Sequence, residues 1–155
     1  MAVEESESAK IQESQIVVFE LGKERYGVNI HTIREIIRYS EVTKVPETPG
    51  YVDGILNIRG TITTIVDLRE ILGLERIERT EKTRVLIMDL EDSNVGVVVD
   101  SVSEVLRMDS SNILEAGDIG SQDQMENIKG MVEIDGSLII LFDLQNLLKR
   151  MNIKE

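Results

Sequence analysis

Residues 54–72 read GILNIRGTITTIVDLREIL, and residues 130–148 read GMVEIDGSLIILFDLQNLL. At a constant offset of 76 the two stretches align without a gap. Gly54, Ile58, Gly60, Asp67, Leu68 and Leu72 meet Gly130, Ile134, Gly136, Asp143, Leu144 and Leu148. Those are six identities in nineteen positions, where unrelated stretches of ordinary composition give about one. Six further pairs exchange one apolar residue for another. Upstream, residues 16–38 (IVVFELGKERYGVNIHTIREIIR) align with residues 85–107 (VLIMDLEDSNVGVVVDSVSEVLR) at an offset of 69, and Leu21, Gly27, Val28, Glu35 and Arg38 recur as Leu90, Gly96, Val97, Glu104 and Arg107. The chain is a duplication. Its copies differ mainly in the connection before the second hairpin, residues 39–53 against 108–129, which is seven residues longer in the second copy.

Within each copy, short β-branched runs alternate with Gly, Asp-Gly and charged pairs, which is the pattern of strands joined by turns. Eight to ten short strands are expected, with helix in the minority. A unit of about 70 residues buries too little surface to be stable alone, so the copies should pack together. Small antiparallel sheets remove their open edges by closing into barrels, and the seam between two barrels is the natural place for a ligand or partner. Gly60 and Gly136 sit where a tight hairpin turn needs positive φ. Asp67 and Asp143 each stand in front of a Leu-x-x-apolar-Leu segment and read as helix N-caps, the second opening a C-terminal helix that ends in Lys149 and Arg150. In residues 30–37, IHTIREII, the placing of Ile33, Ile36 and Ile37 predicts a further short helix.

Composition narrows the function. The chain has 155 residues, 41% hydrophobic and 30% charged, enough for a real core. Its 29 acidic against 17 basic side chains give a net charge of −12, which repels nucleic acid and anionic lipid. With no cysteine, disulfides, thiol nucleophiles and Cys-based zinc sites are excluded. No apolar run reaches the length of a membrane span. Residues 1–14, with Glu4, Glu5, Glu7 and Glu13 against Lys10, read as a flexible acidic tail.

No catalytic set assembles. His31 is the only histidine, faces Asp100 in the other copy, and is expected at a helix start, capping or exposed. Asp67 and Asp143 as a carboxylate pair for hydrolysis or a metal is a weaker account than capping. Phosphate-loop motifs are missing, and five aromatic rings are too few for stacking platforms. No metal, cofactor or catalytic residue is expected. The copies disagree at one hairpin: Asn57 and Arg59 face Glu133 and Asp135, which pattern alone reads first as drift of exposed turn residues, with an arginine that forks onto a carboxylate of this chain or of a partner as the alternative. Ile33, Ile36, Val42 and Val45 read first as core, with an exposed docking strip as the alternative.

The string VPETPGYVDGILNIRGTITTIVDLREILGL, preceded by VFELGKERYGVNIHTIREIIR, resembles the CheW family of chemotaxis adaptors over residues 15 to about 150. Asn57-Ile58-Arg59-Gly60 departs from the more frequent NLRG by one apolar exchange, and Thr64 stands where Pro is usual. The resemblance implies a mainly β fold of two pseudo-symmetric, SH3-like, five-stranded barrels with short helices and a C-terminal helix. The first would cover about 15–80 with the C-terminal helix packed on it, the second about 81–143. It implies a cytoplasmic, non-catalytic scaffold without cofactor, joining chemoreceptor cytoplasmic hairpin tips to the regulatory domain of the histidine kinase CheA and recruited to membrane-associated arrays without inserting in the membrane. Matched positions assign Ile33, Glu35, Gly54, Asn57, Arg59, Gly96 and Val105 to a receptor groove, with Glu35 and Arg59 as potential partners of each other. Ile37, Val42 and Val45 are assigned to the kinase surface, and Leu114, Asp118 and Ile119 to a ring contact. A CheV-like module or a fragment of a CheA regulatory domain is the alternative reading.

Overall fold

The computed structural model describes residues 13–91, 93–109, 113–115 and 127–151. The strands of the first copy are β1 (Glu13–Leu21), β2 (Glu24–Asn29), β3 (Ile33–Arg38), β4 (Val52–Ile58) and β5 (Thr61–Asp67), followed by helix α1 (Leu68–Ile71). Those of the second are β6 (Arg84–Leu90), β7 (Ser93–Val99), β8 (Ser101–Asp109), a short β9 (Ile113–Glu115), β10 (Ile128–Ile134) and β11 (Ser137–Phe142), followed by α2 (Leu144–Arg150). The mainly β fold with few helices agrees with the expectation. No helix among the described residues is long and apolar enough to cross a membrane.

The sheets do not divide where the copies divide. One runs β8-β1-β2-β11-β10-β9 and the other β3-β6-β7-β5-β4. Each copy has given its first hairpin, β1–β2 or β6–β7, to the sheet built by the other. The expected boundary near residue 80 is corrected accordingly: each barrel draws strands from both copies. The physical reason is that hydrophobic alternation specifies which face of a strand is buried, not which strand lies beside it. The exchange obeys the duplication down to register. Ile16 opposes Leu106 as Val85 opposes Ile37. Tyr26 lies beside Ile140 in one parallel pair as Val95 lies beside Thr64 in the other.

Three apolar clusters result. Ile16, Val18, Val132, Ile139 and Leu141 fill one barrel, and Ile65, Val85, Ile87 and Val98 the other. The largest cluster fills the seam, where Val17, Phe19, Leu21 and Val28 from one sheet meet Leu86, Met88, Leu90, Val95 and Val97 from the other, with Leu68, Leu144 and Leu148 from the helices. The seam is therefore packed shut, and only its margins are open.

Both N-caps form. Asp67 Oδ1 accepts from the Glu70 N–H at 3.2 Å and Asp143 Oδ1 from the Asn146 N–H at 3.0 Å. Asp143→Ala should lower the unfolding free energy by about 1 kcal/mol, the ordinary worth of such a cap, as read by urea titration. Both hairpin turns place two residues at positive φ, Arg59 (50°) with Gly60 (86°) and Asp135 (51°) with Gly136 (79°), the twist that two-residue hairpins require.

Two expectations fail. Residues 33–38 form strand β3, not a helix; a 3-10 turn over Ile30–Thr32 precedes it. The three isoleucines are β-branched, and pairing with β6 covers that strand's edge. The register slips between Ile33 and Glu35, so Ile33 reaches the seam cluster while Ile37 points into the barrel. The acidic tail is also shorter than 1–14, because Glu13 and Ser14 already pair with Asp109 and Met108; residues 1–12 lie outside the described residues.

Candidate interaction surface

At one end of the barrel built on β3, β4 and β5, a charged clamp is exposed. The slip in β3 turns Glu35 toward the barrel mouth, and the β4–β5 turn offers Arg59 across it. Arg59 donates Nη1–H to Glu35 Oε1 at 2.5 Å and Nη2–H to Oε2 at 2.8 Å. This two-pronged geometry is the strongest form of guanidinium–carboxylate pairing. Asn57 Oδ1 braces the turn by accepting the Gly60 N–H at 2.8 Å. A hollow of about 90 Å³, lined by Arg34, Thr61, Thr63, Ile87 and Asn94 as well as the clamp, lies beneath. The hydrogen bonds from Arg59 hold the Glu35 carboxyl below its usual range. Because the Arg59 side chain is 75% exposed, water screens the pair and it adds little to folding. Its polar groups remain available to a second molecule.

The other barrel repeats the clamp with different parts. Glu104, the counterpart of Glu35, accepts from Arg25 Nη2–H at 2.7 Å, and Arg25 Nη1–H reaches Ser137 Oγ at 2.6 Å. At the position equivalent to Arg25 stands Asn94, and at that of Arg59 stands Asp135. The guanidinium has moved from the hairpin turn in one barrel to the second strand in the other. The difference at residues 57–59 and 133–135 is thus accompanied by a compensating one at 94 and 25, and is not isolated drift. Arg25 was missed in the sequence, although the offset of 69 that links it to Asn94 was on view.

The other candidates separate into exposed and packed groups. Ile36 (37% exposed) and Val105 (47%) occupy equivalent positions on β3 and β8, each a strand at one edge of its sheet. Ile33 lies partly buried against the seam cluster. Gly54 and Gly96 are positions where the backbone is crowded: a Cβ on Gly54 would strike the Thr43 carbonyl, and one on Gly96 would stand 2.6 Å from Ile65 Cδ1 and 2.7 Å from Val85 Cγ1 inside the barrel. Gly96→Ala should therefore cost about 1–3 kcal/mol by overpacking, seen as a lowered melting temperature. Ile37 and Val42 pack against the same barrel cluster, whereas Val45 is 37% exposed. Leu114 lies on β9, paired with Met131; Asp118 and Ile119 fall outside the described residues. His31 is exposed, its N–H bonded to Asn29 Oδ1. Asp100 accepts from Arg69 and from the Gly22 N–H. Among the described residues no group of three or more His, Asp or Glu is placed to hold a metal ion.

Comparison with known proteins completes the description. The family model for the CheW-like domain matches residues 15–152. Chemotaxis protein CheW of Klebsiella aerogenes is 33% identical over 134 residues, 86% of this chain and 81% of that protein. The protein of the same name from Thermotoga maritima is 30% identical over 145 residues, 94% of each. Among solved structures, the scaffolding protein TtCheW from Thermoanaerobacter tengcongensis superimposes with a TM-score of 0.78 at 31% identity, covering 88% of this chain and 92% of that one.

Proposed function

The chain belongs to the CheW-like domain family, and from that premise we propose that it is a non-catalytic adaptor that couples chemoreceptor cytoplasmic tips to the regulatory domain of the kinase CheA within a signalling array at the cytoplasmic side of the membrane. The observation that carries the reading is the Glu35–Arg59 clamp: an exposed, oriented ion pair at a barrel mouth, close in the sheet to the exposed apolar Ile36. A packed barrel has no folding need for it. A helical partner bearing one carboxylate or one guanidinium can open the clamp and take over half of it, while its apolar face rests on the lips formed by Ile33, Ile36 and Val105. Val45 is the accessible member of the kinase-facing set. Ile37 and Val42 act beneath it by shaping the barrel wall, as Gly54 and Gly96 act on the receptor side. Each contact is small and single affinities are micromolar-like, so the assembly gains its strength from many linked contacts.

The test is Arg59→Glu. It sets like charges against each other at the clamp, and binding to a receptor cytoplasmic fragment should weaken at least about tenfold, while the thermal transition stays near that of the parent chain. Unchanged receptor affinity would remove Arg59 from the site. Reconstitution with receptor and kinase, in which receptor control of kinase activity is lost when the chain is omitted, tests the function as a whole.

A further inference from the structure

The two helices are equivalent by the duplication but not by length: α1 ends at Ile71 after one turn, while α2 runs on to Arg150. Gly73, at φ 77°, then turns the chain away. Beside this short helix the seam margin stays open as a cavity of about 470 Å³, lined chiefly by Tyr26, Ile71, Leu72, Leu74, Ile140 and Leu147. Two residues before Ile140, on the same face of β11, stands Leu138, 50% exposed; Leu74, on the opposite wall, is 42% exposed. The cavity and these two side chains make one apolar groove, and none of them belongs to the Glu35–Arg59 hollow or to the lips on β3 and β8.

The rim of the groove is acidic. Glu133 lies directly across from Leu138 in the β10–β11 pair. The parallel register that sets Arg25 against Ile139 brings Glu24 beside Leu138. The Tyr26 hydroxyl, at the cavity wall, is pushed up by burial and then by the charge of Glu24. Lys23 and Arg25 flank Glu24 in sequence; Arg25 is engaged with Glu104 and Ser137, Arg76 with Asp53 and Glu70, and Lys149 with Glu91 at 3.7 Å. A second copy of a chain with net charge −12 is a poor occupant for such a groove, because like charges across an interface oppose docking.

We infer that this groove is a docking site for a basic amphipathic helix, which places aliphatic side chains from successive turns in the cavity and over Leu138 while its Lys or Arg side chains meet Glu24 and Glu133. The site is separate from the surfaces assigned to receptor and kinase, and gives the adaptor a third class of partner.

The probe is a labelled peptide of about sixteen residues, roughly four turns, made only of leucine and lysine with the leucines on one face. It is titrated into the full chain by fluorescence anisotropy at low and moderate salt. A scrambled isomer of the same composition serves as control. The helix-patterned peptide should bind at least about tenfold more tightly than the scrambled one, and salt should weaken the binding. The doubly exchanged chain L74D/L138D should lose about tenfold or more in affinity, whereas R59E should bind the peptide as the parent does. Amide shifts of the parent chain on peptide addition should centre on β2, β11 and α1, a readout that does not depend on how well the double variant folds. Equal binding of both peptides, unchanged affinity in L74D/L138D, or shifts centred on β3 and β8 would overturn the proposal. So would a concentration-dependent dimer, seen by sedimentation and abolished by L138D, which would make a second copy the occupant.

Discussion

Expressed as separate fragments, residues 1–80 and 81–155 should each be unfolded, and on mixing they should recover the native far-UV and amide spectra as a one-to-one complex. The hairpin exchange dictates this. The first fragment keeps the β1–β2 and β4–β5 pairs but loses β8 and β11 from beside β1 and β2, and both β6 and β7 from between β3 and β5. Neither remaining hairpin is stable without a sheet. The seam cluster is also divided, with Val17, Phe19 and Val28 on one fragment and Leu86, Met88 and Val97 on the other. A fragment that folds by itself into a monomer with dispersed amide signals would contradict the exchanged topology.

Arg79→Ala should destabilise the intact chain by about 3–5 kcal/mol, the cost of leaving buried charge without its partner. Arg79 donates Nη2–H to Asp53 Oδ2 at 2.9 Å and lies with Nη1 2.8 Å from Asp67 Oδ2, while its guanidinium stacks 4.8 Å from the centre of the Tyr39 ring. Asp67 is 1% exposed. Arg76 and the Tyr39 hydroxyl complete the cage around Asp53 at 3.0 and 2.8 Å. Lysine cannot replace this fork, so Arg79→Lys should recover only part of the loss. The signature is in the pH dependence. Burial pushes the Asp53 carboxyl up, but the hydrogen bonds from Tyr39 and Arg79 and the charge of Arg79 outweigh it and leave it below the ordinary range. A carboxyl depressed by folding stabilises the protein above its unfolded value of about 3.9, and that contribution is lost as pH falls through the lower folded value. In Arg79→Ala the depression shrinks, so stability should fall less steeply on acidification than in the parent chain. Denaturant titrations between neutral and acid pH measure both slopes. Parallel slopes would show that Arg79 is not what holds Asp53 ionised.

Much of this architecture is legible in two constant offsets. They relate ten of the eleven described strands, both capped helices and both hairpin turns, and the CheW resemblance adds the pairing of Glu35 with Arg59. Three features escaped for physical reasons. Residues 30–37 carry apolar positions that satisfy a helical period and a strand with a slipped register equally well, and only the open edge of β6 decides between them. The exchange of hairpins is invisible because a strand's alternation is blind to its neighbour. Gly96 and Ile37 both pack inside a barrel, a placing that motif position alone does not distinguish from that of surface residues.

The interlaced sheets also carry a mechanical consequence. Two beads on a string can pivot about their tether, but here two hairpins cross from bead to bead and the chain has no single pivot around which one barrel turns while the other stays still. A torque applied at one lip must rotate the whole body or break strand pairing. As a linker between signalling partners such a molecule is a strut: it transmits displacement without absorbing it, and any compliance in the assembly has to reside in the joints at its surface.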